Sequence, residues 1–247
     1  MALVWGNGSM KISVCLAMYN GANYLVPQIR SILDQLGQFD EIVVVDDCSQ
    51  DESVQIVNAF GDSRIRLIRN DSNLGILAAF EGALRESAGD IIFLSDQDDV
   101  WLPGKVERCL AALVDCPLVV TDCAVVDSEL ELLSPSFFRL RHSRPGVLHN
   151  LWKNTYLGCC MAFRRELLQI ALPFPNRIPM HDMWLGMIAE IHGGTCFVPE
   201  PLLLYRRHGG NASDTAGRST ARLSKMIADR VFLASLVAAR TLRHRLP

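Results

Sequence analysis

The chain has 247 residues, 49% of them hydrophobic and 21% charged, with formal charge −3 and mean hydropathy +0.18. It is long enough to bury one sizeable core and too apolar, with too little net charge, for a disordered chain. The longest unbroken apolar runs, 14–19 and 109–114, fall far short of the roughly 20 residues that a membrane span needs, which predicts a soluble protein.

Residues 1–9 lack the basic start and apolar stretch of a secretory signal, so they read as a leader or remnant outside the fold, whose pattern opens at Met10. KISVCLAM at 11–18 predicts a strand ending at the turn residues Tyr19, Asn20 and Gly21, followed by a helix over 24–36. The run 42–45 is apolar throughout, as in a strand covered on both faces, and a helix is expected over 51–60. A third strand over 65–69, a helix over 76–86 and a strand over 90–95 follow, the last running into Asp96-Gln97-Asp98-Asp99. Strands alternating with helices predict an α/β fold with a mostly parallel central sheet flanked by helices.

The second half is less regular. A helix is expected over 105–114 and a strand over 118–127; the Ser/Pro/Arg-rich stretch 134–145 reads as a long surface loop. Beyond it come a strand over 158–163, helices over 165–171 and 181–192, and a strand over 195–206 interrupted by Pro199 and Pro201. Residues 220–242 place Leu223, Met226, Ile227, Val231, Ala234 and Val237 at helical spacing among basic residues. Two readings of this helix stay open: it packs its apolar side on the main domain, or it touches an anionic membrane surface.

Charge is unevenly spread, with 17 basic against 26 acidic side chains over 1–215 and 7 against 1 over 216–247. So acidic a body argues against nucleic acid as a partner, because phosphate binding needs a basic footprint. The eight cysteines lack the spacing of a zinc site and read as reduced thiols, which implies a cytoplasmic location.

In an open parallel sheet, ligands bind beyond the carboxyl ends of the strands. Here three strand ends deliver Tyr19-Asn20, Asp46-Asp47 and the Asp96–Asp99 cluster to one rim, with no glycine-rich phosphate loop after the first strand. Three carboxylates within four residues repel one another, and a bound Mg²⁺ or Mn²⁺ bridging to a substrate diphosphate would offset that charge. A solvated acidic turn is the plainer alternative at this point.

The runs KISVCLAMYNGANYL, IVVVDDCSQD, NDSNLGILAAFEGAL and GDIIFLSDQDDVWLPGKVE, in that order, resemble the family 2 glycosyltransferases of GT-A fold. The resemblance covers about residues 10–215 and leaves 216–247 as a basic helical tail; SDQDDVWLPGK and MHDMW are similar to a rhamnosyltransferase-like subgroup. It implies that Ala17, Tyr19, Asn20 and Asp47 line the nucleotide pocket and that Asp96 and Asp98 form the family's Asp-x-Asp pair. Asp98 would hold the metal with His208, and Arg206 would meet the diphosphate. Gly158, Cys159 and Trp184 would line the acceptor pocket, and Asp182 would be the catalytic base. An acidic residue is common in the family where His181 stands.

These expectations describe a metal-dependent inverting enzyme that moves a sugar from a UDP- or dTDP-linked donor to a glycan hydroxyl. Such an enzyme would act in bacterial surface polysaccharide assembly. A lipid-linked acceptor would suit peripheral contact of the basic tail with the inner face of the cytoplasmic membrane. The competing reading is a non-catalytic nucleotide-sugar-binding scaffold, which would need no Asp182. A nucleotidyltransferase would instead carry a glycine-rich basic loop where Asn20-Gly21-Ala22-Asn23 stands.

Overall fold

A computed structural model of the chain describes residues 10–209 and 223–245. The leader at 1–9, Gly210 and Asn211 at the end of the YRRHGGN segment, and residues 216–222 of the basic tail lie outside the described residues. Strands β1 (Ile12–Met18), β2 (Glu41–Asp46), β3 (Ile65–Arg69) and β4 (Ile91–Ser95) alternate with helices α1 (Leu25–Leu33), α2 (Ser53–Ala59) and α3 (Ile76–Glu86). They pair in parallel in the order β3-β2-β1-β4. Val14, Val43, Val44, Ile92 and Phe93 are fully buried. This is why these strands read as unbroken apolar runs rather than as alternation.

The second half turns the sheet from parallel to mixed. It comprises β5 (Val100–Trp101), α4 (Lys105–Ala112), β6 (Leu118–Val126), β7 (Leu132–Ser134), α5 (Phe137–Arg141), α6 (Val147–Trp152), β8 (Met161–Arg164), α7 (Glu166–Ala171), α8 (His181–Ile191), β9 (Thr195–Arg206) and α9 (Leu223–Arg245). Beyond β4 the order continues β8-β6-β9-β5, with β8 antiparallel to both neighbours, β9 parallel to β6, and β5 antiparallel to β9. The parallel arrangement predicted from alternation therefore holds for β1 to β4. Residues 158–160 form a 3-10 turn rather than the start of a strand.

The stretch 134–145 is less loop-like than its composition suggests, because side-chain anchors order it. Asp122 accepts from Ser136 Oγ and Phe138 N, and Ser136 caps α5 by accepting from Arg139 N at 3.1 Å. Cysteine usage needs a correction too: Cys116 and Cys196, 80 residues apart, are joined as a disulfide, while six others are free. The parallel register sets Val119 opposite Cys196, which brings the start of β9 to the segment that precedes β6.

Helix α9 packs on α6, α7 and α8. Leu233 and Val237 are buried in the common core, whereas Val231 is 64% exposed on the outer side. The side chains of Leu223, Met226 and Ile227 lie outside the described residues. Arg240 donates to the carbonyls of Ile170, Leu172 and Pro173, and its guanidinium stands 5.5 Å from the Trp184 ring centre. No described helix is long and apolar enough to cross a membrane. Leu233→Ala should cost about 2–5 kcal/mol, the usual range for emptying a fully buried leucine site. Urea unfolding reads this directly; an unchanged midpoint would mean that α9 does not share the core.

Candidate active site

A cavity of about 400 Å³ opens where β1, β2 and β4 end, within the size range of ligand pockets. Its wall includes Ala17, Tyr19, Asp47, Asp96, Asp98, Gly158 and Asp182, so these seven expected residues meet in one place. Asn20, Cys159, Trp184, Arg206 and His208 do not line it.

Local braces fix the rim. Gln97, the middle residue of the Asp-x-Asp run, accepts from Tyr19 N at 2.7 Å and donates to Tyr19 O at 3.0 Å, clamping the end of β1 to the acidic motif. Gln28 donates to Ser95 Oγ and to the Asp96 carbonyl at 2.7 and 2.8 Å, which holds the end of β4. Asp47 accepts from Asn70 Nδ2, Leu74 N and Gly75 N at 2.7–2.9 Å. Gly75 reaches it from φ +88°, a left-handed conformation that favours glycine. Asn20 sits at φ 50° and accepts from Gln50 N, making it a turn brace.

Strand β9 completes the acidic end. The pairing of Val100 with Leu204 sets Arg206 beneath the motif, where its backbone N–H donates to Asp99 and its guanidinium to the carbonyls of Asp98 and Ser128. His208 Nε2 lies 2.8 Å from Asp98 Oδ2, and its ring stacks on Tyr24 at 4.8 Å. The expected metal pair is thus brought together.

Charge is crowded here. Burial, with the charges of Asp98 and Asp182, pushes Asp96 up to about 8. Burial with the same Asp98 and Asp96 charges raises Asp99 well above the carboxylate range. Asp99 Oδ2 is buried without a hydrogen-bond partner among the described residues. Carboxylate oxygens of Asp96 and Asp99 come within 4.8 Å of each other and of Cys159 Sγ, and burial pushes that thiol up as well, so it meets them neutral. An excess of carboxylate oxygens with one imidazole fits a hard divalent cation held by Asp98 and His208.

On the other side of the cavity, Asp182 occupies the first turn of α8 and is 8% exposed. Burial raises its carboxyl to about 7 against the lowering effect of Met183 N, the Asn154 side chain and Gly158 N. His181, also on the wall, stacks on Phe80 with ring centres 4.0 Å apart, and burial lowers it to about 3, so it is neutral. A Cβ at position 158 would stand 2.6 Å from His181 Nε2, so glycine is required there. Trp184 is fully buried and donates to the Ala171 carbonyl at 2.9 Å, in the core between α7, α8 and α9.

Sequence reasoning did not single out Asn154, Asn73, Gly75 or Gln97 as wall residues. Asn154 and Gly75 sit in loops without periodic pattern, and only their contacts with Asp182 and Asp47 mark them.

Among solved structures the chain is similar to residues 1–349 of Staphylococcus aureus TarS in complex with UDP-GlcNAc, with TM-score 0.69 and 18% identity over 96% of this chain and 68% of that one. It is also similar to the mannosyltransferase PcManGT from Pyrobaculum calidifontis in complex with GDP-Man and Mn²⁺, with TM-score 0.62 and 18% identity over 93% and 73% of the two chains. These likenesses establish the GT-A fold. In sequence, an uncharacterized protein of Mycobacterium tuberculosis (strain CDC 1551 / Oshkosh) is 30% identical over 85% of this chain and 71% of its own length. The Escherichia coli UDP-Glc:alpha-D-GlcNAc-diphosphoundecaprenol beta-1,3-glucosyltransferase WfgD is 26% identical over 72% of this chain and 70% of its own. Residues 13–170 match the profile of glycosyl transferase family 2, and with the fold and the acidic strand end in place the chain belongs to that family.

Proposed function

We propose that the chain is a metal-dependent inverting glycosyltransferase moving a sugar from a UDP- or dTDP-linked donor to a hydroxyl of a glycan acceptor in bacterial surface polysaccharide assembly. The observation that carries this reading is the meeting of Asp96 and Asp98 with Asp182 on the wall of one cavity. The nucleotide-sugar ligands of the two solved neighbours and the donor and lipid-linked acceptor in the WfgD name support the substrate class.

In this reading Tyr19, 45% exposed at the rim, stacks on the base and Asp47 bonds its polar edge. Asp96 would meet the ribose, while Asp98 and His208 would hold the cation. A bound Mg²⁺ or Mn²⁺ would supply charge neutralisation to the departing diphosphate. Asp182 takes the proton of the acceptor hydroxyl as it attacks the anomeric carbon, and a carboxyl near 7 is well matched to that task. One displacement without a protein nucleophile inverts the carbon. Arg206, fully engaged beneath Asp98 and Asp99, acts by bracing the motif rather than by reaching a phosphate.

Asp182→Asn should lower transfer by about 10²–10⁴-fold, the usual contribution of a general base, while UDP with Mn²⁺ still raises the melting temperature. Transfer at the wild-type rate would remove Asp182 from the base role. Since the base works deprotonated, the wild-type rate should climb with pH through about 7 and level off above it. A flat profile across that range contradicts the assignment. Asp98→Ala should abolish any part of the UDP-induced melting shift that depends on Mn²⁺; an intact Mn²⁺-dependent shift would remove it from the metal site.

Stability without metal follows from the same carboxyls. Asp182 near 7 and Asp96 near 8 in the fold compare with 3.8 in the unfolded chain, so the folded state holds protons more tightly. Their contribution is fully present below 3.8 and is lost as pH rises through 7 and 8. Mn²⁺ should therefore raise the melting temperature more at about pH 8 than at about pH 5, and equal gains at both would show that the cation does not relieve this repulsion.

A further inference from the structure

The stretch 132–165 contains no Asp or Glu, although the chain as a whole carries 27 acidic side chains against 24 basic. Its basic residues include Arg139, Arg141, Arg144 and Lys153, all clustered around α5 and α6. On α6, Leu148 is 81% exposed and Trp152 is 72% exposed. Spaced four apart, they lie on one face of the helix. The contrast with Trp101 and Trp184, 2% and 0% exposed, shows that the fold readily buries tryptophan elsewhere. Leu133 and Leu140, in the same acid-free stretch, are exposed as well.

The helix is firmly placed rather than dangling. Glu190 on α8 accepts from Gly146 N at the start of α6 and from Tyr156 OH just beyond its end, and Asn150 is fully buried with its amide on the carbonyls of Arg144 and Gly146. Arg144 Nε donates to His149 Nδ1 at 3.1 Å, which keeps its positive charge beside the helix. An outward leucine and tryptophan on a rigid helix, flanked in sequence by Arg144 and Lys153 and with Glu190 at its base taken up by Gly146 N, Tyr156 OH and Thr195, match what a bilayer interface with anionic headgroups accepts.

We infer that the outer face of α6, with Leu148 and Trp152 as apolar anchors and Arg139, Arg144 and Lys153 as cations, docks on an anionic lipid bilayer surface. Lys153 alone separates Trp152 from Asn154, which lines the cavity and bonds Asp182. Docking by this face sets the cavity wall that carries the base next to the headgroups, where the sugar of a lipid-linked acceptor emerges. That purpose rests on the proposed transferase reading; the docking itself does not.

The test is cosedimentation of the full chain with vesicles of phosphatidylcholine alone or mixed with phosphatidylglycerol. The expected result is binding to the anionic vesicles only, weakened by salt, with a blue shift of tryptophan emission that Trp152→Phe removes. Leu148→Ser/Trp152→Ser should reduce the bound fraction about tenfold or more with an unchanged melting temperature, since both side chains already stand in water. Asp182→Asn should bind vesicles as the wild type does, so loss of the transferase reading leaves this readout intact. Absence of vesicle binding, equal binding by the double serine variant, or equal binding to both lipid compositions would each overturn the proposal. So would a dimer in sedimentation equilibrium that the double variant dissolves, because the face would then belong to a second copy.

Discussion

Four carboxyl groups, those of Asp96, Asp98, Asp99 and Asp182, share one end of the sheet, and their mutual repulsion out of bulk water is the constraint that organises the rest. A fold that places acids so close must hold each one mechanically, since electrostatics alone would push them apart. Gln97 ties the motif to β1, Gln28 ties it to α1, and Arg206 crosses under it from β9. These braces act largely on backbone groups of the motif, so the carboxylates of Asp96 and Asp98 are left on the cavity wall, while Asp99 is buried against Arg206 N. The cost of crowding is thereby stored where a cation can relieve it.

Much of this was legible in the sequence because it depends on local pattern. The apolar run of β2 and the period of α3, expected over 76–86 and found at Ile76–Glu86, follow from burial on both faces and from one-sided packing. The acids at strand ends follow from the topology rule for parallel sheets. What escaped reading depends on contacts between distant residues. Helices α5 and α6 are five and six residues long, too short to show a period, and owe their order to Asp122 and Glu190 from other elements. Strand β5 has two residues and exists because β9 pairs with it.

The site residues divide in the same way. Asp47, Asp96, Asp98 and Asp182 reach the cavity because their positions are set by the ends of regular elements. Arg206 and Trp184 were expected on the same wall, yet the Arg206 guanidinium is turned onto the carbonyls of Asp98 and Ser128 beneath the motif and the Trp184 indole onto Ala171 in the core. Residue type gave their chemistry; only the packing of β9 on β5 and of α9 on α8 decided where that chemistry was used.

The pairing of β5 with β9 also dictates an order of events during synthesis. Asp98 is translated 110 residues before His208, and β4 can pair with β1 long before β9 has left the ribosome. The parallel half can therefore pair with its acidic motif already held by Gln97 and Gln28, while the brace from Arg206 and the contact with His208 wait for β9. Asp98 and His208 can thus meet only in a chain that already extends past β9, however early the parallel half is made.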